Sequence, residues 1–192
     1  MSAERTLALA AAVLLFVGPG LGCAGEPRNS SGSSAPTSEE TATTSRSKDP
    51  ITTSAEVCKR LTVQSVADDL GRTITQAVAG SSGSPNCEYE FETDTGGSRS
   101  VLVAALLPIH TGGQGGETGF EWFVDRSQPI VGRVAEFHEL DFGDDAIRVS
   151  GLVTHLGVVR IGDDIYMLAV QVEDADAETV DRLIETMATA FG

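Results

Sequence analysis

The chain has 192 residues and a formal net charge of −15 at pH 7, with 28 acidic against 13 basic residues. Nucleic-acid phosphates and anionic lipid surfaces repel such a chain, so its charge argues against both as electrostatic partners. Apolar residues make up 41% of the sequence, which is enough for a globular core of ordinary size.

The first element is an apolar run from Leu7 to Val17, followed by Gly18-Pro19-Gly20 and then by Cys23. A membrane-spanning helix needs about 20 apolar residues, so this run is too short to cross a bilayer. Its length is typical of the core of a signal peptide, which is roughly 7–15 residues. We therefore interpret residues 1–22 as a signal peptide.

Cys23 stands where the cleaved and acylated cysteine of a bacterial lipoprotein would stand. The match has one departure, because Gly20 occupies the position three residues before the cysteine where Leu is usual. The alternative is an ordinary secretory signal that is cut near Cys23-Ala24. The lipoprotein interpretation makes Cys23 the lipidation site and places the protein on the extracytoplasmic face of the cell membrane, since several acyl chains on one residue give stable anchoring.

Residues 24–50 are rich in Ser, Thr and Pro and contain few apolar side chains. Such a composition buries too little apolar surface to offset the entropy lost on ordering. We expect residues 23–50 to form the lipidated cysteine and a disordered linker, and residues 51–192 to form one globular domain.

The two remaining cysteines are Cys58 and Cys87. An exported protein is exposed to an oxidising compartment, where such a pair forms a disulfide bond. The alternative is two free buried thiols. Because neither a CxxC pair nor a Cys/His cluster is present, the pattern does not favour zinc or thioredoxin-like redox chemistry.

Within the domain, the pattern predicts a helix that begins at the N-cap Thr62 and stops at Gly71. The alternation from Cys87 to Glu92 predicts a strand with one acidic and one buried face, and a more apolar strand follows from Ser100 to Leu107. A Gly-rich loop follows at residues 111–116.

Thr118 and Glu121 form the pattern of a capping box, which predicts a short helix from Thr118 to about Ser127. The pattern of residues 130–140 does not decide whether they form a strand. Residues 144–172 are the clearest β region, with Gly162-Asp163 as a hairpin turn. A helix from about Asp176 closes the chain, and its apolar residues form one stripe at helical spacing, namely Val180, Leu183, Ile184, Met187, Ala188 and Phe191. This order predicts an α+β fold, an antiparallel β-sheet with helices packed on one face, in a single domain.

The domain resembles a family of actinobacterial lipoproteins of unknown function. The shared pattern is a cysteine, a short helix and a second cysteine before an aromatic strand, here Cys58, Leu61-Thr62, Val66, Leu70-Gly71 and Cys87-Glu88-Tyr89. The segment Gly143 to Ala146, Gly157 to Val159, the Gly162-Asp163 hairpin and the last helix are also similar. Tyr89 departs from the family, in which Trp is common. The resemblance implies a lipid-anchored cell-surface domain without established chemistry.

No motif in the sequence assigns a catalytic residue. A G-x-S-x-G nucleophile elbow is missing, and His110, His138 and His155 lack metal-ligand spacing. The cluster of Asp141, Asp144 and Asp145 has no EF-hand spacing, and we expect it to lie in a solvated loop. The acidic residues around Asp176 are explained by the start of the last helix. We therefore expect no cofactor and no metal.

Trp122 is the only tryptophan, and helical geometry turns it away from Phe120, Phe123 and Val124. Either the Gly-rich loop folds over it, or it is exposed to a partner. Tryptophan is enriched at binding hot spots, so we predict a contact site made of Trp122, Gly113, Gln114 and Gly115.

These observations favour a non-enzymatic binding domain at the cell envelope. Its partners would be the membrane, through the lipid anchor, and an envelope protein, a glycan or a small apolar ligand, with no role for nucleic acid. Two alternatives stay open: an envelope hydrolase that uses unrecognised carboxylates, and an accessory subunit of an envelope complex.

Overall fold

The computed structural model describes residues 51–81, 83–132 and 135–192. The predicted signal peptide, Cys23 and the predicted linker lie outside this part of the chain. The helices are α1 (Ser54–Arg60), α2 (Val63–Leu70), a 3-10 helix (Pro108–Thr111), α3 (Gly116–Val131) and α4 (Ala177–Phe191). The strands are β1 (Ile74–Ala79), β2 (Asn86–Glu92), β3 (Ser98–Leu106), β4 (Glu136–Leu140), β5 (Asp145–Ser150), β6 (Thr154–Ile161) and β7 (Asp164–Gln171).

The seven strands form one antiparallel sheet in the order β1-β2-β3-β7-β6-β5-β4. Two meanders, β1 to β3 and β4 to β7, meet where β3 pairs with β7. The chain leaves β3 in the middle of the sheet and returns at the edge strand β4, and α3 lies in this connection. The predicted α+β class, antiparallel sheet and single domain are confirmed.

Helices α1, α2 and α4 pack on one face of the sheet and enclose the first core. Its members from β2 are Cys87, Tyr89 and Phe91, which alternate with glutamates along the strand. Helix α4 contributes the apolar stripe that its sequence predicts, namely Val180, Leu183, Ile184, Met187 and Phe191.

A glycine in β6 lets α4 approach the sheet closely. A Cβ atom at Gly157 would lie 2.5 Å from Cγ1 of Ile184 and 3.0 Å from Cγ of Leu168. Only a residue without a side chain fits between this strand and this helix.

Helix α3 packs on the opposite face, which differs from the expectation that all helices share one face. Its inner side chains and those of β5, β6 and β7 form the second core, which includes Phe123, Val131, Leu156, Val158 and Met167. The central strands are apolar on both faces, as Val158 and Val159 illustrate, so each face needs a cover. The amphipathic pattern of a helix shows that it packs against a core, but it does not show on which face of the sheet the helix lies.

Helix α3 is also longer than its sequence predicts. It begins at Gly116 and ends at Val131, so Thr118 lies inside the first turn and the predicted capping box at Thr118 and Glu121 is wrong. Pro129 is accommodated in the last turn.

Candidate functional site

The predicted disulfide bond between Cys58 and Cys87 is confirmed. It joins α1 to β2 across 29 residues of sequence, with 5.2 Å between the two Cα atoms. The same region is held by the Tyr89 hydroxyl, which donates a hydrogen bond to the Leu61 carbonyl at 2.6 Å. Disulfide bonds form and persist in oxidising compartments, which indicates an extracytoplasmic domain.

Trp122 lies half-buried on α3, at the border of the second core. The loop residue that touches it is Gly112, where a Cβ atom would lie 2.8 Å from Cε2 and Nε1 of the indole. The Arg126 guanidinium lies over the ring, 4.5 Å from its centroid, in cation–π geometry. The loop therefore covers one part of the ring, and the exposed side chain of Arg126 covers another part.

The Gly-rich loop is tied to its surroundings at both ends. The Thr111 hydroxyl donates to the Pro108 carbonyl at 3.1 Å and also to the Gln114 carbonyl. At the other end, the Gly116 amide donates to the Asp163 carbonyl, in the β6–β7 turn, at 3.2 Å. Gly112 adopts φ of +72°, a conformation that favours glycine.

The three loop residues of the predicted contact site, Gly113, Gln114 and Gly115, are exposed. Gly115 lies beside Asp163 rather than beside the indole, since its nearest neighbour is the Asp163 carbonyl. The structure thus joins Trp122 to Gly112 and Arg126, and places the three predicted loop residues further along the same loop.

Next to α3 lies a half of the sheet that no helix in the described ranges covers. We call it the open face; its members are Gln76, Val78, Glu88, Glu90, Glu92, Ser100 and Leu102. Directly opposite residues of antiparallel strands share a face. Leu102 is opposite Ala169, which is opposite Leu156 of the second core, so the open face is on the α3 side of the sheet.

The aspartate cluster at the start of β5, Asp141, Asp144 and Asp145, has mainly a structural role. Arg160 pairs with Asp144 at 3.7 Å and donates through Nε to Asp145. The Asp144 carboxylate also accepts the Gly162 amide at 2.6 Å. Asp141, the third member, is exposed. Two of the three carboxylates therefore hold the β6–β7 turn against β5.

The acidic residues at the start of α4 divide into a cap and a buried group. Asp176 accepts the Thr179 amide at 2.8 Å, and this hydrogen bond lowers its pKa, as expected for an N-cap. Burial raises the pKa of Asp174, and Arg99, 3.8 Å away, opposes that rise. No local sequence pattern indicates this contact between Arg99 and the buried Asp174, because the two residues are far apart in the chain.

The three histidines lie apart. His155 is buried, with Nδ1 2.9 Å from the Ser150 hydroxyl, and burial is the main cause that lowers its pKa. His110 contacts the Ser84 hydroxyl at 2.9 Å, and His138 is exposed on β4. Across the described residues, no three His, Cys, Asp or Glu side chains are arranged to hold a metal ion.

The helices in the described ranges are all too short or too polar to cross a membrane.

Comparison with known proteins found no matching family model, no similar curated protein and no similar solved structure.

Proposed function

We propose that this chain is a lipid-anchored domain on the extracytoplasmic face of the cell membrane, and that it binds an envelope partner through the surface around Trp122. The observation that carries the binding proposal is the position of that side chain. A half-buried indole at the border of the second core lies between an exposed glycine-rich loop and an exposed arginine.

Such a surface has the properties of an interaction site. Tryptophan and arginine are among the residue types enriched at binding hot spots. The indole gives a large contact area with few rotatable bonds. Because Gly112 already restricts the ring, binding a partner would cost little further side-chain entropy.

The proposal of a lipid anchor is based on the sequence. The apolar run from Leu7 to Val17 and the position of Cys23 support lipidation, and the Cys58–Cys87 bond supports an oxidising compartment. The resemblance to actinobacterial lipoproteins points to the same location.

Metabolic labelling with an alkyne-bearing palmitate, followed by fractionation of cells, tests the anchor. We expect label on the wild-type chain in the membrane fraction, and no label on a Cys23→Ser variant, which would leave the membrane or accumulate as precursor. A Ser45→Ala variant in the predicted linker is the matched control. If Cys23→Ser is labelled and fractionates like wild type, Cys23 is not the anchor.

The hydrolase alternative gains no support from the aspartate cluster, since Asp144 and Asp145 are paired with Arg160. The accessory-subunit alternative uses the same surface as the binding proposal. Once the partner that contacts Trp122 is identified, a stable complex would support the accessory-subunit alternative, and a transient ligand would support the binding proposal.

A further inference from the structure

The open face carries acidic side chains in a regular row. Glu88, Glu90 and Glu92 alternate with the buried residues of β2, so they point to the same side of the sheet. Their spacing along an extended strand is about 7 Å per step. Such a row matches the spacing of alternate side chains in another extended chain.

These carboxylates are not neutralised within the described part of the chain. Glu88 accepts a hydrogen bond from the Ser100 hydroxyl at 2.6 Å, and Glu90 accepts one from Nε2 of the Gln76 side chain at 2.7 Å. Neither they nor Glu92 form an ion pair with a described residue.

The nearest cation in the sheet is used elsewhere. Arg99 lies opposite Phe91, whose side chain belongs to the first core, so Arg99 points to the other face of the sheet. There it pairs with Glu173 at 3.0 Å and lies 3.8 Å from Asp174. The open face therefore keeps its negative charge.

Apolar side chains lie among the glutamates. Leu102 and Val78 are both directly opposite Glu88, and Val78 is 41% exposed. Further along β3, Ala104 and Leu106 continue the same face into the second core, which Trp122 borders. The open face and the surface around Trp122 thus lie on the same side of the sheet.

We propose that the open face binds a basic, extended segment of a partner polypeptide. Lys or Arg head groups would pair with Glu88 and Glu90, while their methylene stems pack on Leu102 and Val78. This inference rests on the proposed binding function and names the chemistry of its partner.

The charges decide between possible occupants. A second copy of this chain carries the same net charge of −15 and would be repelled. A divalent cation needs several oxygens that converge on one point, whereas these carboxylates are spread along a strand. A basic polypeptide satisfies both the row of charges and the apolar side chains between them.

Fluorescence anisotropy tests the proposal with an eight-residue peptide of alternating Lys and Thr. The protein is the chain from residue 23 to 192 carrying Cys23→Ser, so that it stays free of lipid. We expect saturable binding at low salt that weakens as salt is added. A peptide of alternating Glu and Thr should not bind.

Two double variants with the same net charge make the test specific. We expect Glu88→Gln with Glu90→Gln to weaken binding about tenfold, the effect of removing two partly exposed ion pairs. The control is Glu136→Gln with Glu185→Gln, at exposed positions on β4 and α4, and should change affinity less than twofold. Thermal melts would verify that both variants fold.

Three results would overturn the proposal. Equal weakening in both double variants would mean that the overall charge, not the open face, attracts the peptide. Absence of binding to the wild-type chain at low salt would exclude a site for basic segments. Dimerisation that Glu88→Gln with Glu90→Gln abolishes would assign the face to a second copy. None of these results affects a partner crosslinked at Trp122, so the proposed function is tested separately.

Discussion

Replacing Trp122 by Ala tests how far this side chain belongs to the core. The indole touches Gly112 and lies under the Arg126 guanidinium, yet the residue stays half-exposed. We expect the substitution to lower the free energy of unfolding by a moderate amount and to weaken binding of any partner of this surface.

The magnitude follows from the degree of burial. A fully buried aromatic side chain costs about 3–5 kcal/mol when it is truncated to Ala. Because Trp122 is half-buried, we expect a loss of about 2 kcal/mol for Trp122→Ala. Arg126→Ala should cost about 0.5–1 kcal/mol, the value of a partly exposed cation–π pair.

Urea unfolding followed by circular dichroism measures these losses without needing the tryptophan signal. Fluorescence of the wild-type chain reports the same environment, because Trp122 is the only tryptophan. Arg126→Ala should make this fluorescence easier to quench with acrylamide. A loss below about 0.5 kcal/mol for Trp122→Ala would refute the packing against Gly112. A loss above about 4 kcal/mol would make the residue part of the core and remove it as a contact site.

Three further predictions concern the opposite face of the sheet, on which α1, α2 and α4 pack. Replacing Cys58 and Cys87 together by Ala should lower the free energy of unfolding by about 3–4 kcal/mol in the chain-entropy model, measured by urea unfolding without reductant; an unchanged urea midpoint would contradict this. Gly157→Ala should cost about 1–3 kcal/mol, because its Cβ would meet Ile184, and Ile184→Ala in the same chain should remove part of that penalty; strictly additive losses would refute the close contact. Burial lowers the pKa of His155 below its ordinary value of 6.5. The neutral, buried side chain should therefore contribute fully to stability above about pH 6.5. This contribution should fall at lower pH, because the unfolded chain binds the proton before the folded chain does. Thermal melts from pH 7.5 to pH 5 should show a smaller decrease in melting temperature for His155→Gln than for the wild-type chain. An identical decrease would mean that His155 does not cause the pH dependence.

The elements that the sequence predicts well are those with strong local patterns. Helix α4 has an N-cap, Asp176, and an apolar stripe, and both are present in the structure. Gly162 and Asp163 form the hairpin turn between β6 and β7, as their position between two apolar runs indicates. Thr62 and Gly71 cap α2 as predicted.

Helix α1 and strand β1 were missed for different reasons. Helix α1 has a complete capping box formed by Thr53 and Glu56, a signal that is readable in the sequence. Strand β1 has no such signal, because after Ile74 its residues are mostly exposed and do not alternate. Its conformation depends on pairing with β2, which only the tertiary fold provides.

The candidate site was predictable only in part. The alternation of Cys87 to Glu92 revealed the acidic face of β2, and helical geometry revealed that Trp122 is turned from the centre of the core. The contact between Gly112 and the indole, and the absence of a helix over the open face in the described ranges, depend on how α3 crosses the sheet from β3 to β4. That path is a property of the topology and leaves no local pattern.

The central claim is that the side of the domain around Trp122 meets a partner at the cell envelope. Photocrosslinking in intact cells tests it most directly, with a benzophenone amino acid placed at position 122 and, as a control, at the exposed position 185 on α4, beyond the other face of the sheet. We expect a discrete crosslinked product from position 122 in the envelope fraction and none from position 185. No product from position 122, or the same products from both positions, would contradict it.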